Sequence, residues 1–593
     1  MAAVRGGPFQ IRIQYRKAAM AEASSVSVAF VGSGGAGALT TGRLLLEAAC
    51  AAGWHGLLTR SVGPQIRGGE AAALLRIAVD PVECHGDRFD LLVGVDWLNS
   101  HRFETEIALG PDSVVVSDPQ GGDPPAIVAA SGARVIELRL KELTTANPAW
   151  RPNMIAVGAA AQLLRLDQAV LADLIDRRFQ DKGPAIVAAN LAAAHAGAAA
   201  VAHHDLGFGL ARPRAAGTRR WLITGNEAVG LGAIRGGIRF AAAYPITPAS
   251  EVLEWLAPQL AKVGGSLVQA EDELASINMI IGGSYGGTPS LTATSGPGLS
   301  LMIEALGLAT AAEVPIVVVN VMRGGPSTGI PTKSEQADLN IAVYGVHGDA
   351  PHIVVAPQSI PDCLLTTQWA VHLAESLQVP AILLSDQFLG QALAAIARPA
   401  DVSFIGQRQR ATAIVAPYRR YALTADGVSP MAVPGVAEGQ YTAESLSHTE
   451  RGLPSTSASD HQAQLDKRRD KLERFAFGDL WATIEGQGAL AVITWGSLTG
   501  AAREAVAQLA RAGRRVRLIA PRLLSPARPV EMAAALEGVS RLLVVEQSHG
   551  AQFYRYLRAH YSLPADTAVL HRPGPLPIRP GEICREFLRE QFS

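Results

Sequence analysis

Between Tyr244 and Asp338, short β-branched runs alternate with segments of Ala, Gly, Ser and Ile. The stretch opens with YPITPAS (244–250), which holds Thr247 between Pro245 and Pro248. A helix is predicted over 250–262, a strand near 266–269, a helix containing Glu273, a strand over 290–295, a helix over 298–311 and a strand over 315–321. Apolar strands separated by helices require a parallel sheet covered on both faces. One acid breaks the pattern: Glu273, followed by the apolar, small-residue run LASINMIIGGS. A buried acid is costly unless it is paired or used.

The alternation extends over most of the chain, and the fold class is α/β with three doubly wound parallel domains. Residues 1–24 form a basic leader expected to be disordered, 25–212 the first domain and 213–220 a linker. The second domain spans 221–400 and the third 485–593. Residues 401–484 are expected to be a long, partly ordered connection whose charged run QAQLDKRRDKLERF makes a surface helix. A chain of 593 residues has room for roughly three to four such units.

Composition excludes several classes of function. A formal net charge of -1 and 5% aromatic residues argue against nucleic-acid binding. No uncharged apolar run of about 18 residues is present, so no membrane-spanning helix is expected. Cys50, Cys84, Cys363 and Cys584 stand alone, which encodes neither a zinc site nor an iron–sulfur cluster. Isolated thiols fit a reducing cytoplasm.

Four places can carry chemistry. The strand Val26–Val31 feeds GSGGAG, where Gly32, Gly34, Gly35 and Gly37 precede a helix. Such a turn offers backbone N–H groups to an anion, although glycine also serves tight turns for steric reasons alone. A nicotinamide site needs a ribose-binding acid about 20 residues on, where this chain has Ala52 and Gly53. That weakens a dinucleotide-dependent dehydrogenase as an alternative. Arg323, directly after the buried run VVVNVM, can present a bidentate fork to a carboxylate. Thr247 can donate to a bound oxygen or cap the following helix. Glu273 can serve as an active acid or, beside Glu271 and Asp272, as a helix-start charge.

The motifs YPITPAS (244–250), AEDELASINMIIGGS (270–284), TATSGPGLSLM (292–302), RGGPSTGIPTKSEQADL (323–339), YALTADGVSPMAVPG (421–435) and KRRDKL (467–472) occur in order. They resemble the thiamine-diphosphate-dependent 2-oxoacid:acceptor (ferredoxin) oxidoreductases. GSGGAG with Arg67-Gly68-Gly69 is similar to that family's γ unit, and ITWGSLTGAAREAV with VVEQSHGAQ to its transketolase-C-terminal-like unit. The γ–α order resembles the α subunit of a 2-oxoglutarate:ferredoxin oxidoreductase. The resemblance implies oxidative decarboxylation of 2-oxoglutarate with coenzyme A to succinyl-CoA and CO₂, with electrons passing to ferredoxin. Pyruvate, branched-chain and aryl 2-oxoacids are the alternatives, and a non-catalytic CoA-binding scaffold is a further one.

By the same resemblance, Glu273 hydrogen-bonds the pyrimidine N1′ of thiamine diphosphate, a task that suits a dry pocket. Thr247 and Arg323 join it in catalysis. Tyr244, Pro245 and Ile246 line the cofactor, while Gly32, Gly34, Gly35, Gly37 and Arg67 approach coenzyme A. Ala36 stands where the family commonly has Gln. The family's GDG followed 25–30 residues later by Asn is missing, since ADG (425–427) and HGDA (347–350) do not fit. The resemblance therefore implies a β subunit that supplies the diphosphate site, Mg²⁺ and a 4Fe–4S cluster, in a heterotetramer with two copies of each chain.

Overall fold

The computed structural model describes residues 22–63, 69–204, 206–207, 209–214, 220–402, 404–414 and 417–589. Most of the expected linker and the first 21 residues lie outside this set. Glu22–Ala23, at the end of the expected leader, pairs as a parallel strand with Gly209–Leu210.

Three sheets, each packed with helices, organise the chain. The central one has the strand order Ser266–Gln269, Phe240–Ala243, Ser290–Thr294, Val317–Met322, Ala381–Asp386, Ile353–Val355, Leu523–Ser525. All but the last are parallel. Its inner strands are buried end to end, as runs such as SLTAT and VVVNVM require. The chain leaves Phe240–Ala243 for one neighbour and returns to the other, which makes a switch point between Phe240–Ala243 and Ser290–Thr294. Ligands of doubly wound sheets bind at the carboxyl ends of strands at such a point.

The first unit's sheet is mixed. Ser25–Gly32, Leu91–Gly94, Val114–Ser117 and Arg134–Glu137 run parallel, whereas Ala71–Ala78 is antiparallel to both Ser25–Gly32 and His55–Val62. Leu393–Ile396 and Trp221–Thr224 complete this sheet, also antiparallel. The segment expected as the second domain, 221–400, thus lends its first and last strands to the first sheet. The third unit lends Leu523–Ser525 to the central sheet, while its own five strands follow the order Ala482–Glu485, Val516–Pro521, Leu490–Ile493, Arg541–Glu546, Asp566–His571. Shared strands stitch the three units together.

The connection differs most from its expectation. Its helix, Ala458–Glu473, turns Gln464, Lys467, Arg468, Lys471 and Leu472 inward and buries them. Charge density alone suggested a solvated helix, but the buried ends of other helices receive these cations.

Candidate active site

The loops at the carboxyl ends of the central strands carry Thr247, Glu273, Ser295 and Arg323. Parallel pairing of Ser290–Thr294 with both Phe240–Ala243 and Val317–Met322 puts these ends on one edge. Glu273 is the first residue of the helix Glu273–Tyr285 and is 6% exposed. The capping task belongs to its neighbour: the Asp272 carboxylate accepts from Ala275 N at 2.7 Å. Glu271 and Asp272 stay exposed. Among the described residues, no hydrogen-bond donor or cation pairs with the Glu273 carboxylate. It packs instead against Gly298, where an added Cβ would lie 2.6 Å from Glu273 Oε1 and 2.1 Å from Thr294 Oγ1. Gly298 is therefore the residue that makes room for the acid.

Arg323 and Thr247 meet directly. Arg323 is buried, and its Nη1 donates to the Thr247 carbonyl at 2.5 Å. Its Nε is buried without a partner. Burial lowers the Arg323 pKa, against the pull of Asp338, which raises it. The Thr247 hydroxyl does not cap the next helix, since Ser250–Lys262 begins at Ala249 with no side-chain cap bond. Tyr244 and Pro245 are exposed, and Ile246 is half-buried against the central core.

Asn320 and Asp338, which the sequence does not single out, meet beside Arg323. Asn320, the one polar residue of VVVNVM, donates to Asp338 Oδ2 at 2.8 Å, and its own Oδ1 is buried without a partner. A polar side chain inside a buried strand was the available signal. Burial pushes the Asp338 carboxyl up to about 6, against Asn320 and Arg323. Ser295 Oγ, just before the helix Gly296–Ala311, is also buried and unpartnered. The loop between them divides its labour. Lys333 Nζ donates to Ser61 Oγ and Glu106 Oε1 of the first unit, both at 2.5 Å. Gln336 donates to Trp495 O at 2.8 Å and accepts from Gln547 N at 2.9 Å in the third unit. Both residues join units.

The glycine loop of the first unit holds an anion of its own. The Asp96 carboxylate accepts from Ser33 N at 3.0 Å, from Ser33 Oγ at 2.7 Å and from Leu98 N at 3.1 Å. Gly37 is sterically required, because an added Cβ would fall 2.6 Å from Asn153 Nδ2. Gly32 is buried in the same turn. Gly34 and Gly35 remain exposed, with nothing within 4 Å of a Cβ on Gly35. Arg67 and Gly68 lie outside the described residues.

These residues gather at the carboxyl edge of the central sheet. At the switch point they offer a buried glutamate without a partner among the described residues, beside a glycine that opens space for it. Among the described residues, no group of three His, Cys, Asp or Glu side chains is placed to hold a metal ion. No helix of the described residues is long and apolar enough to cross a membrane.

Comparisons with known proteins follow the same lines. Residues 231–467 match the family described as pyruvate flavodoxin/ferredoxin oxidoreductase, thiamine diphosphate-binding, and residues 27–200 match pyruvate ferredoxin/flavodoxin oxidoreductase. The chain is 35% identical over 378 residues to 2-oxoglutarate synthase subunit KorA of Methanothermobacter thermautotrophicus, covering 63% of this chain and 99% of that one. It is 35% identical over 381 residues to 2-oxoacid:ferredoxin oxidoreductase 2, subunit alpha, of Aeropyrum pernix, covering 60% and 59% respectively. A solved structure of 2-oxoglutarate:ferredoxin oxidoreductase from Magnetococcus marinus, with 2-oxoglutarate, coenzyme A and succinyl-CoA bound, superposes with a TM-score of 0.88. It shares 35% identity and covers 95% of this chain and 99% of that one.

Proposed function

Because the chain belongs to the thiamine-diphosphate-dependent 2-oxoacid:ferredoxin oxidoreductases, we propose that it is a fused γ–α subunit acting on 2-oxoglutarate. The reaction is oxidative decarboxylation with coenzyme A to succinyl-CoA and CO₂, with electrons leaving to ferredoxin, in the cytoplasm. The observation that carries this reading is Glu273, a buried acid without a partner among the described residues at the carboxyl edge of the central sheet. The likeness to a structure bound to 2-oxoglutarate and coenzyme A supports the choice of substrates.

Thiamine diphosphate, when bound, supplies the carbanion that attacks a keto carbon and stabilises the charge left by decarboxylation. Glu273 would hold a proton at the pyrimidine N1′, and no side chain among the described residues competes for its carboxylate. Arg323, whose Nη1 already fixes the Thr247 loop, turns its remaining donors to the 2-oxoacid carboxylate. The Thr247 hydroxyl, released from capping, donates to the substrate's oxygen. Tyr244, Pro245 and Ile246 wall the cofactor. In the first unit, Gly34 and Gly35 approach coenzyme A, while Gly32 and Gly37 shape the turn and Arg67 contributes from the neighbouring loop.

We assign the diphosphate, Mg²⁺ and 4Fe–4S sites to a β subunit, because this sequence lacks both the GDG-to-Asn pattern and cluster-forming cysteines. The assembly is a heterotetramer with two copies of each chain. The acid then works at a subunit boundary. Exposed apolar side chains support that placement: Leu274 follows Glu273, and Leu301 lies one turn beyond Gly298.

The test is co-expression with a β-type partner, then viologen reduction with each of several 2-oxoacids. The reading predicts reduction that needs both 2-oxoglutarate and coenzyme A. Equal or faster turnover of pyruvate would overturn the substrate assignment, and no turnover of any 2-oxoacid would overturn the function.

A further inference from the structure

The helices that carry Glu273 and Gly298 end, away from the site, on the connection between the second and third units. Arg408, buried, donates from Nη1 to the Ser284 carbonyl at 2.6 Å and from Nη2 to Ser284 Oγ at 2.8 Å, in the last turn of the Glu273 helix. It also pairs with Glu375 through contacts of 3.0 and 2.9 Å. Arg410 Nη2 donates to the Gly287 carbonyl at 2.6 Å, two residues past the same helix. Arg420 Nη2 donates to the Glu313 carbonyl at 2.8 Å, just beyond the helix Gly296–Ala311. The Glu313 carboxylate accepts from Lys467 at 2.7 Å and from Lys471 at 3.1 Å. Lys471 also donates to the Gln378 carbonyl at 3.1 Å, beyond a third helix, Ile360–Leu377.

Arg408, Arg420, Lys467, Arg468 and Lys471 are all buried, against the carboxylates of Glu313 and Glu375. Such an excess of cations is tolerable because the last carbonyls of a helix lack intrahelical partners and carry partial negative charge. Three helix ends meet here and supply it. The bonds to backbone carbonyls tie the ends of these helices to the connection. Glu273 has no side-chain partner of its own among the described residues. Its position follows from its helix and from Gly298.

We propose that the 401–484 connection is a positioning clamp for Glu273. Arg408 and Arg410 set the axial position of the helix that bears the acid, while Arg420 and the Glu313 cluster set the helix that bears Gly298. The clamp acts over a 13-residue helix, about 20 Å long. A shift at its far end arrives at Glu273 undiminished, and misplacement of a reacting group by about 1 Å can cost on the order of 100-fold. The inference rests on the role assigned to Glu273 above.

The test uses the complex with its partner, loaded with thiamine diphosphate and free of substrate. The readout is the rate at which the thiazolium C2 proton exchanges with deuterium, which reports cofactor activation before any turnover. Arg410 is exposed, so Arg410→Met removes one clamp bond without orphaning a buried charge. Arg408→Met with Glu375→Leu removes both partners of the buried pair together. We expect exchange about tenfold slower in Arg410→Met and slower again in the double variant, with unchanged KM for the 2-oxoacid and recovery in Arg410→Lys. Glu273→Gln is the reference. If it stops exchange while the clamp variants exchange at the native rate, the clamp is overturned and the role of Glu273 stands. If Glu273→Gln itself exchanges at the native rate, both ideas fall.

Discussion

The two ends of the Glu273 and Gly298 helices treat buried charge in opposite ways. At the far end, Arg408, Glu375, Glu313, Lys467 and Lys471 each sit in an ion pair. Burial alone would push the Glu313 carboxyl up, yet Lys471, Lys467 and Arg420 hold it well below the ordinary carboxylate range. At the site end, Glu273 has no partner among the described residues, and Ser295 Oγ, Asn320 Oδ1 and Arg323 Nε are buried without one. A fold able to satisfy charge at one end has the means to do so at the other. The difference marks the near end as built to receive groups from outside the chain, and the far end as built to hold it still.

Variants can break this contrast from either side. Glu375→Ala orphans the buried Arg408 guanidinium and should cost about 3–5 kcal/mol, read as a large fall in melting temperature. A fall too small to measure would mean that the far end is not the saturated anchor described. Gly298→Ala should lower kcat about 100-fold with little change in melting, because its Cβ must displace Glu273 or Thr294. Native turnover in that variant would show that the acid has slack. Arg323→Ala should lower kcat/KM for the 2-oxoacid about 10- to 100-fold, the worth of a hydrogen bond to a charged group. An unchanged ratio would remove it from the substrate's carboxylate.

The smallest effect concerns Asp338, whose carboxyl rises from 3.8 to about 6. The folded chain then holds this proton more tightly than the unfolded one, so this group's share of stability is present below about pH 4 and lost as pH rises to about 6. Asp338→Asn should flatten the melting-temperature profile across that window. An identical slope in both proteins would place the titration elsewhere.

That Thr247, Glu273 and Arg323 share one edge could be read from sequence, and the reason is local. Each follows a short strand, and parallel strands place such residues on one edge. What escaped was non-local. Four-residue strands such as Trp221–Thr224 and Leu393–Ile396 carry no mark of which sheet they will join. Asp96, 63 residues from Ser33, gives no hint in sequence that it fills the glycine turn. KRRDKL looks like a solvated face because charge usually means exposure, and the helix ends that accept its cations lie far away along the chain. Asn320 alone left a signal, a polar residue inside a buried strand.

The most direct measurement compares wild type with Glu273→Ala, each co-purified with the partner and assayed for viologen reduction dependent on 2-oxoglutarate and coenzyme A. The account predicts that the variant assembles, melts like wild type and loses turnover by at least about 100-fold, the lower range for a missing proton-transfer group. Turnover within a few-fold of wild type in an intact complex would contradict it.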